Sequence, residues 1–153
     1  LHQCSVILPP VAETIPCFGF LVFHIPRLPA NRLRDYFCNK AERNREHIHA
    51  AITAKIKELK GTLHALNSMA DHVHLVVTVP PSLSLAMFVG QVKGSSSHRA
   101  ARLSSESTLF AWQAEYGVIS VSELHLPAVM RYVRLQQQHH AKSTLNQRLE
   151  TCE

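Results

Sequence analysis

The sequence predicts an α+β protein of the ferredoxin-like (RRM-like) class, an antiparallel sheet with helices on one face and an additional C-terminal helix. Apolar and β-branched segments alternate with helical patterns in the order β-α-β-β-α-β-α. The chain has 153 residues, of which 46% are hydrophobic, enough for one sizeable core and too few for two. Such a sheet exposes one face unless another element covers it, and the last helix is the natural cover.

The first half of the chain contains two predicted strands around one long helix. Residues 18–25 (FGFLVFHI) form a mostly apolar strand that ends at Pro26. Residues 33–59 are predicted to be helical because their apolar side chains recur at helical spacing, and Gly61 ends this helix. Residues 62–68 form the second strand.

A third strand and a second helix follow. Residues 71–79 (DHVHLVVTV) are rich in β-branched side chains and end at Pro80. Ser82 or Ser84 caps a helix that runs to about Arg102. Its predicted apolar face consists of Leu85, Phe88, Val89 and Val92.

The last part of the chain begins with a Ser-rich loop, residues 103–108. Residues 116–122 (YGVISVS) alternate as a short strand, and Pro127 opens a helix that extends to about residue 142. We expect residues 1–153 to form a single domain, with an extension at 1–19 and a tail at 144–153.

Composition and charge exclude some classes of protein and favour others. No window approaches the ~18 uncharged apolar residues of a membrane helix, and no signal peptide is recognisable. The net charge of +5 lies entirely within residues 27–60, which predicts either a solvated basic helix face or a surface for a polyanion. Because no C-x-x-C spacing occurs, we expect reduced thiols rather than a zinc site at the four cysteines, Cys4, Cys17, Cys38 and Cys152.

Two His-x-His pairs stand out among the 11 histidines, although chance alone predicts about one such pair at this abundance. On a helix, His47 and His49 point about 200° apart and cannot bind one ion together. On a strand, His72 and His74 stand side by side on one face. His72 and His74 are therefore candidate metal ligands. The alternative interpretation is that they are two sheet-face histidines that bind no metal.

The C-terminal helix offers a third ligand and a nucleophile. Tyr132 and Gln136 are four residues apart, a spacing that puts them on one face of a continuous helix. Gln136 can donate a carbonyl oxygen to Mg²⁺ or Mn²⁺, and the Tyr132 phenol could then attack a bound electrophile. Packing of the Tyr132 ring on the core is the alternative interpretation.

Four segments occur together in an order and at spacings that resemble the single-tyrosine HUH transposases of bacterial and archaeal insertion sequences, the IS200-like transposase family. The similarity extends from about residue 20 to about residue 140. It rests on residues 67–75 (NSMADHVHL), 92–97 (VKGSSS), 110–113 (FAWQ) with the following Tyr116 and Gly117, and 131–136 (RYVRLQ).

The resemblance implies a chemistry. His72, His74 and Gln136 would bind the metal, Mg²⁺ or Mn²⁺, and Tyr132 would form a 5′-phosphotyrosine with single-stranded DNA. The family recognises DNA hairpins near element ends and works as homodimers, without a nucleotide cofactor or a membrane. A cytoplasmic, nucleoid-associated prokaryotic protein is implied. The expected phosphate contacts are Lys93, Arg99, Arg32, Arg34 and Arg43.

Some features depart from the family pattern or leave alternatives open. The first 19 residues are atypical, and His139 or His140 could replace Gln136 as ligand. The Asn-Pro that follows this tyrosine in repeat-associated transposases is absent, which favours the mobile-element branch. Three other functions remain: a non-catalytic single-stranded nucleic-acid-binding module, a metal-dependent hydrolase that uses water, and a degenerate transposase that only binds DNA.

Overall fold

The computed structural model describes residues 18–24, 41–69, 72–103, 112–114, 116–146 and 149. Its elements follow the predicted order. They are β1 (Phe18–His24), α1 (Ala41–Glu58), β2 (Thr62–Ser68), β3 (His72–Thr78), α2 (Leu85–Leu103), β4 (Tyr116–Val121), a 3-10 turn (Glu123–His125), α3 (Leu126–Arg134) and α4 (Gln136–Ala141).

Several predictions concern residues outside these ranges, and they stay predictions. They include the first turns of the helix expected from residue 33, the Ser-rich loop from residue 104 onward, and the extension up to residue 17. The four cysteines also lie outside the described residues. Among the described helices, none is long and apolar enough to cross a membrane.

The four strands form one antiparallel sheet in the order β2-β3-β1-β4. This order is that of a split β-α-β arrangement and confirms the predicted fold class. Because β3 lies between β1 and β2, every residue of β3 from His72 to Val77 is buried. The ladder between β2 and β3 contains an irregularity between Leu63 and Ala65.

One face of the sheet carries the main hydrophobic core. Val73, Leu75 and Val77 of β3 point to this side and are completely buried. The strand period of two puts these alternate side chains on one face. They pack against the predicted apolar faces of α1 and α2, which contribute Ile48, Ile52, Ile56, Phe88, Val89 and Val92.

The other face of the sheet is covered by α3, as the sequence predicted. Val133 of α3 is completely buried and packs in a second, smaller cluster with Ala65, Val76 and Val121 from three different strands. The imidazoles of His72 and His74 share this face with Val76, because the three residues alternate along β3. The C-terminal helices therefore cover the sheet face that carries the two histidines.

The final helix is not continuous, and the expectation of one helix to about residue 142 is wrong. It divides at Leu135, whose φ of −97° and ψ of 9° depart from helical values. The sequence has neither Gly nor Pro there, so no local signal marks the break. Val133 before the break and Gln136 after it are both completely buried against the sheet.

Candidate active site

His72 and His74 lie side by side beneath the C-terminal helices. Their ring centroids are 4.8 Å apart, and the side chains are 6% and 0% exposed, respectively. Burying two imidazoles on a sheet face is costly unless they have partners that satisfy their ring nitrogens. The pair therefore marks a polar site inside an otherwise apolar layer.

Gln136, the first residue of α4, reaches both histidines. Its Nε2 lies 2.8 Å from His72 Nε2 and 3.4 Å from His74 Nε2, and the side chain is 0% exposed. Gln136 Oε1 is also buried, and it has no hydrogen-bond partner among the described residues. Such a buried amide oxygen costs free energy unless a further group binds it.

The three side chains fit a divalent metal ion. Donors about 2.1 Å from one octahedral ion lie about 3 Å apart, close to the 2.8 and 3.4 Å measured between the converging nitrogens. A 180° rotation of the last side-chain torsion of Gln136 exchanges its amide nitrogen and oxygen and would present Oε1 instead. Within the described ranges, His, Cys, Asp and Glu alone form no group of three that could hold a metal, so the amide oxygen would be needed as the third donor.

Of the two rival ligands, only His140 lies near the pair. Its ring centroid is 5.3 Å from that of His72, and its Nε2 is buried. His139 turns instead toward Tyr132, on which its imidazole stacks with a centroid distance of 4.8 Å. His140 is thus a neighbour of the polar site, whereas His139 belongs to the surroundings of the tyrosine.

Tyr132 is half-buried in a groove between α3 and β4. The walls of this groove include Ile119 and Val121 of β4 and Val129 of α3, with Asn146 at one side. The phenolic oxygen accepts a 3.2 Å hydrogen bond from the backbone N–H of Asn146. None of His72, His74 and Gln136 lines this groove.

The break at Leu135 changes the expected relation between Tyr132 and Gln136. A shared face at a spacing of four residues requires a continuous helix, but Leu135 separates α3 from α4. As a result, the Gln136 side chain points toward the two histidines, while Tyr132 faces the groove beside β4.

The role of Asn67 in positioning these helices was missed at the sequence level. Asn67 lies opposite His74 in the β2–β3 ladder, and its Nδ2 donates to the carbonyl of Val133 at 2.9 Å. Val133 is the next-to-last residue of α3, where backbone carbonyls need donors from outside the helix. This contact could not be assigned to Asn67 before the register of β2 was known.

The family of the chain follows from comparison with known proteins. The family model described as "Transposase IS200 like" (Y1_Tnp) matches residues 27–136, which is more than half of the chain. The chain belongs to this family. Transposases are DNA-processing enzymes, and members of this family generally depend on a metal. No curated protein matches the chain with comparable significance.

Two solved structures share the fold of this IS200-like transposase. A candidate transposase from Deinococcus radiodurans R1 is 18% identical, with a TM-score of 0.57 over 90% of this chain and 97% of that chain. A REP-associated tyrosine transposase bound to a REP hairpin is 12% identical, with a TM-score of 0.60 over 88% of this chain and 74% of that chain. At these identities the likeness establishes the fold.

The candidate phosphate contacts of the transposase lie in different settings. Lys93 Nζ donates to the carbonyl of Gln113 at 2.8 Å and lies 5.3 Å from the centroid of the Tyr116 ring, so it anchors the chain before β4. Arg99 is exposed on α2. Arg43 lies in α1, while Arg32 and Arg34 are outside the described residues.

One serine of the 92–97 segment has a structural role in the transposase. Ser96 is completely buried, its Oγ donates to the carbonyl of Val92 at 2.8 Å, and it accepts a 2.8 Å hydrogen bond from Trp112 Nε1. These bonds attach the segment before β4 to α2. Ser96 is therefore unavailable as a phosphate contact.

Proposed function

We propose that this transposase cleaves and rejoins single-stranded DNA at the ends of an insertion element. Tyr132 is the nucleophile in this proposal, and His72, His74 and Gln136 hold Mg²⁺ or Mn²⁺. The observation that carries it is the convergence of the Gln136 amide on both imidazoles at 2.8 and 3.4 Å, at the start of α4 and just after the helix that carries Tyr132. Membership of the IS200-like transposase family supports a DNA-processing reaction at these residues.

The reaction assigned to Tyr132 is a transesterification. The phenolic oxygen attacks the scissile phosphorus, the bond between phosphorus and the 3′-oxygen breaks, and the phenol proton is lost to solvent while the leaving oxygen takes up a proton. The products are a 5′-phosphotyrosine and a free 3′-hydroxyl. Because one phosphoester replaces another, a second 3′-hydroxyl can reverse the step onto a new DNA end without a nucleotide cofactor.

In this proposal, His72, His74 and Gln136 would hold the metal ion and so orient the scissile phosphate. A bound divalent ion supplies Lewis-acid polarisation of the scissile phosphate. The two imidazoles lie on a central strand of the sheet, and Gln136 is fixed at the beginning of α4, so the donors sit on regular elements rather than loops. Preorganised donors of this kind reduce the cost of orientation during the reaction.

The proposed DNA partner carries a hairpin near the element end. A structurally similar REP-associated tyrosine transposase was solved bound to a REP hairpin, which supports this class of DNA for the present chain. The exposed Arg99 and the basic residues Arg32, Arg34 and Arg43 are candidate phosphate contacts. Action as a homodimer is part of the same proposal, because one tyrosine can hold one DNA end at a time.

A purely DNA-binding module is less well supported. Single-stranded nucleic-acid binders of this class present an open sheet face for base stacking. Here Val133 of α3 packs on Ala65, Val76 and Val121, so the helix covers that face. No observation among the described residues favours water as the nucleophile over Tyr132.

The decisive experiment is a covalent-adduct assay. Labelled single strands that copy the two regions flanking the encoding gene are incubated with the protein and Mg²⁺ or Mn²⁺, and SDS-resistant adducts are resolved by electrophoresis. We expect an adduct with the wild type and with Tyr116→Phe, the matched control, but none with Tyr132→Phe. An adduct that persists in Tyr132→Phe would refute the assignment, as would its absence from the wild type.

A further inference from the structure

We propose that His139 and the backbone N–H of Asn146 are positioning groups for the Tyr132 nucleophile. This inference deepens the proposed function and rests on the role assigned there to Tyr132. Both groups lie beyond residue 136, where the family match ends, so the match does not assign them. They act through the tyrosine and need no contact with DNA or metal.

The first observation is a stack between two rings. The centroids of the His139 and Tyr132 rings are 4.8 Å apart, and the planes are tilted by only 20°. A second contact fixes the imidazole, because His139 Nδ1 lies 3.1 Å from Thr144 Oγ1. One face of the phenol therefore rests on a ring that is itself held in place, which restricts the side-chain torsions of Tyr132.

The second observation is a turn that brings the chain back to the tyrosine. At the end of α4, the N–H of Thr144 donates to the carbonyl of His139 at 3.0 Å, and the N–H of Ser143 donates to that of His140 at 3.4 Å. With Ser143 at a φ of 52°, this is a Schellman motif. The reversed chain then places the N–H of Asn146 at 3.2 Å from the phenolic oxygen.

Together the two contacts define where the reacting oxygen lies. The stack sets the plane of the ring, and the N–H donor fixes one side of the phenolic oxygen. Holding a nucleophile in its reactive geometry is worth large rate factors, and a misplacement of about 1 Å can cost about 100-fold.

The proposal is tested by single-turnover cleavage with saturating hairpin DNA. We expect His139→Ala to slow adduct formation roughly tenfold without weakening DNA binding, and His139→Phe, which keeps a stacking ring but no imidazole, to restore a rate close to that of the wild type. His98→Ala, at an exposed position on α2, serves as the control. An unchanged rate in His139→Ala overturns the inference, as does a failure of His139→Phe to rescue it.

A second measurement needs neither DNA nor metal. In amide NMR spectra, Tyr132→Phe removes the phenolic acceptor and should move the Asn146 resonance upfield, whereas Tyr116→Phe should not. In His139→Ala, the loss of the imidazole ring current should shift the Tyr132 ring protons. If the wild type forms no adduct, the proposed function fails, and these spectra still decide the contacts. Unmoved resonances would overturn the positioning role even in an active transposase.

Discussion

Asn67 connects the sheet to the helix that carries Tyr132: its Nδ2 donates to the carbonyl of Val133 at 2.9 Å and to that of Arg134 at 3.3 Å. These are the two residues that follow Tyr132, at the end of α3. Asn67 Oδ1 accepts from the N–H of Ser68 at 2.9 Å, which fixes the orientation of the amide. Strand β2, which pairs with the strand that carries His72 and His74, thereby also fixes the end of α3.

Replacement of Asn67 tests this connection. We expect Asn67→Ala to lower the free energy of unfolding by about 1–2 kcal/mol, because two carbonyls at a helix end lose their donor. Adduct formation should slow as well, since α3 carries Tyr132. Urea denaturation followed by circular dichroism measures the first effect. Gln138→Ala, at an exposed amide side chain, is the matched control. Equal stability of the two variants would show that the Asn67 hydrogen bonds do not stabilise the end of α3.

The proposed metal site should lose affinity for Mn²⁺ when one of its two imidazoles is removed. We expect His74→Ala to weaken Mn²⁺ binding in calorimetric titration by more than about tenfold, because only two of the three donors remain. DNA cleavage should be abolished while hairpin binding is kept. The exposed His98→Ala is the control. If hairpin binding and cleavage disappear together in His74→Ala, the histidine has a folding role instead.

Some features of the sheet and of the candidate site could be predicted from the sequence, and others could not. The common face of His72 and His74 followed from the strand period alone, and the apolar faces of α1 and α2 followed from helical spacing. The break at Leu135 could not be predicted, because neither Gly nor Pro marks it. The surroundings of Tyr132 could not be predicted either, since they depend on that break and on the turn at Ser143.

Asn67 illustrates a second limit of sequence reasoning. Its contact with Val133 depends on the register of β2 against β3, and that ladder is irregular between Leu63 and Ala65. A one-residue difference in register moves a side chain to the other face of a sheet. The resemblance of residues 67–75 to the family placed Asn67 next to the site, but it assigned no role to the side chain.

Acid should destabilise the fold through His49. Burial, with a smaller contribution from the nearby Arg45 charge, lowers the pKa of His49 from 6.5 to about 4, and its Nε2 lies 2.9 Å from Ser68 Oγ. Burial also lowers the pKa of His64. Between pH 6.5 and pH 4 the unfolded state binds more protons than the folded state, so the free energy of unfolding falls as the pH falls.

The loss attributable to His49 should be about 2 kcal/mol after allowance for the partial exposure of the ring. Urea denaturation at a series of pH values measures it. In His49→Gln, which cannot titrate there, the slope between pH 6.5 and pH 4 should be shallower. A slope identical to that of the wild type would show that His49 does not contribute.

The end of α1 gives two predictions of opposite sign at adjacent positions. Lys60, not Gly61, takes the left-handed conformation, with a φ of 60°, and the N–H of Gly61 donates to the carbonyl of Ile56 at 2.9 Å. Gly61 is required for space: a Cβ there would meet Phe88 Cε2 and the carbonyl oxygen of Thr78, each at 3.1 Å. The glycine ends the helix next to the core, but the turn is made one residue earlier.

We therefore expect Lys60→Gly to raise the free energy of unfolding by about 0.5–1 kcal/mol, because glycine adopts a positive φ without the steric cost of a Cβ. Gly61→Ala should lower it by about 1–3 kcal/mol, because the new methyl group crowds a buried ring and a backbone carbonyl that cannot easily move. Thermal and urea denaturation of both variants measure the two effects. If Gly61→Ala were as stable as the wild type, the close approach of β3 and α2 to this turn would be wrong.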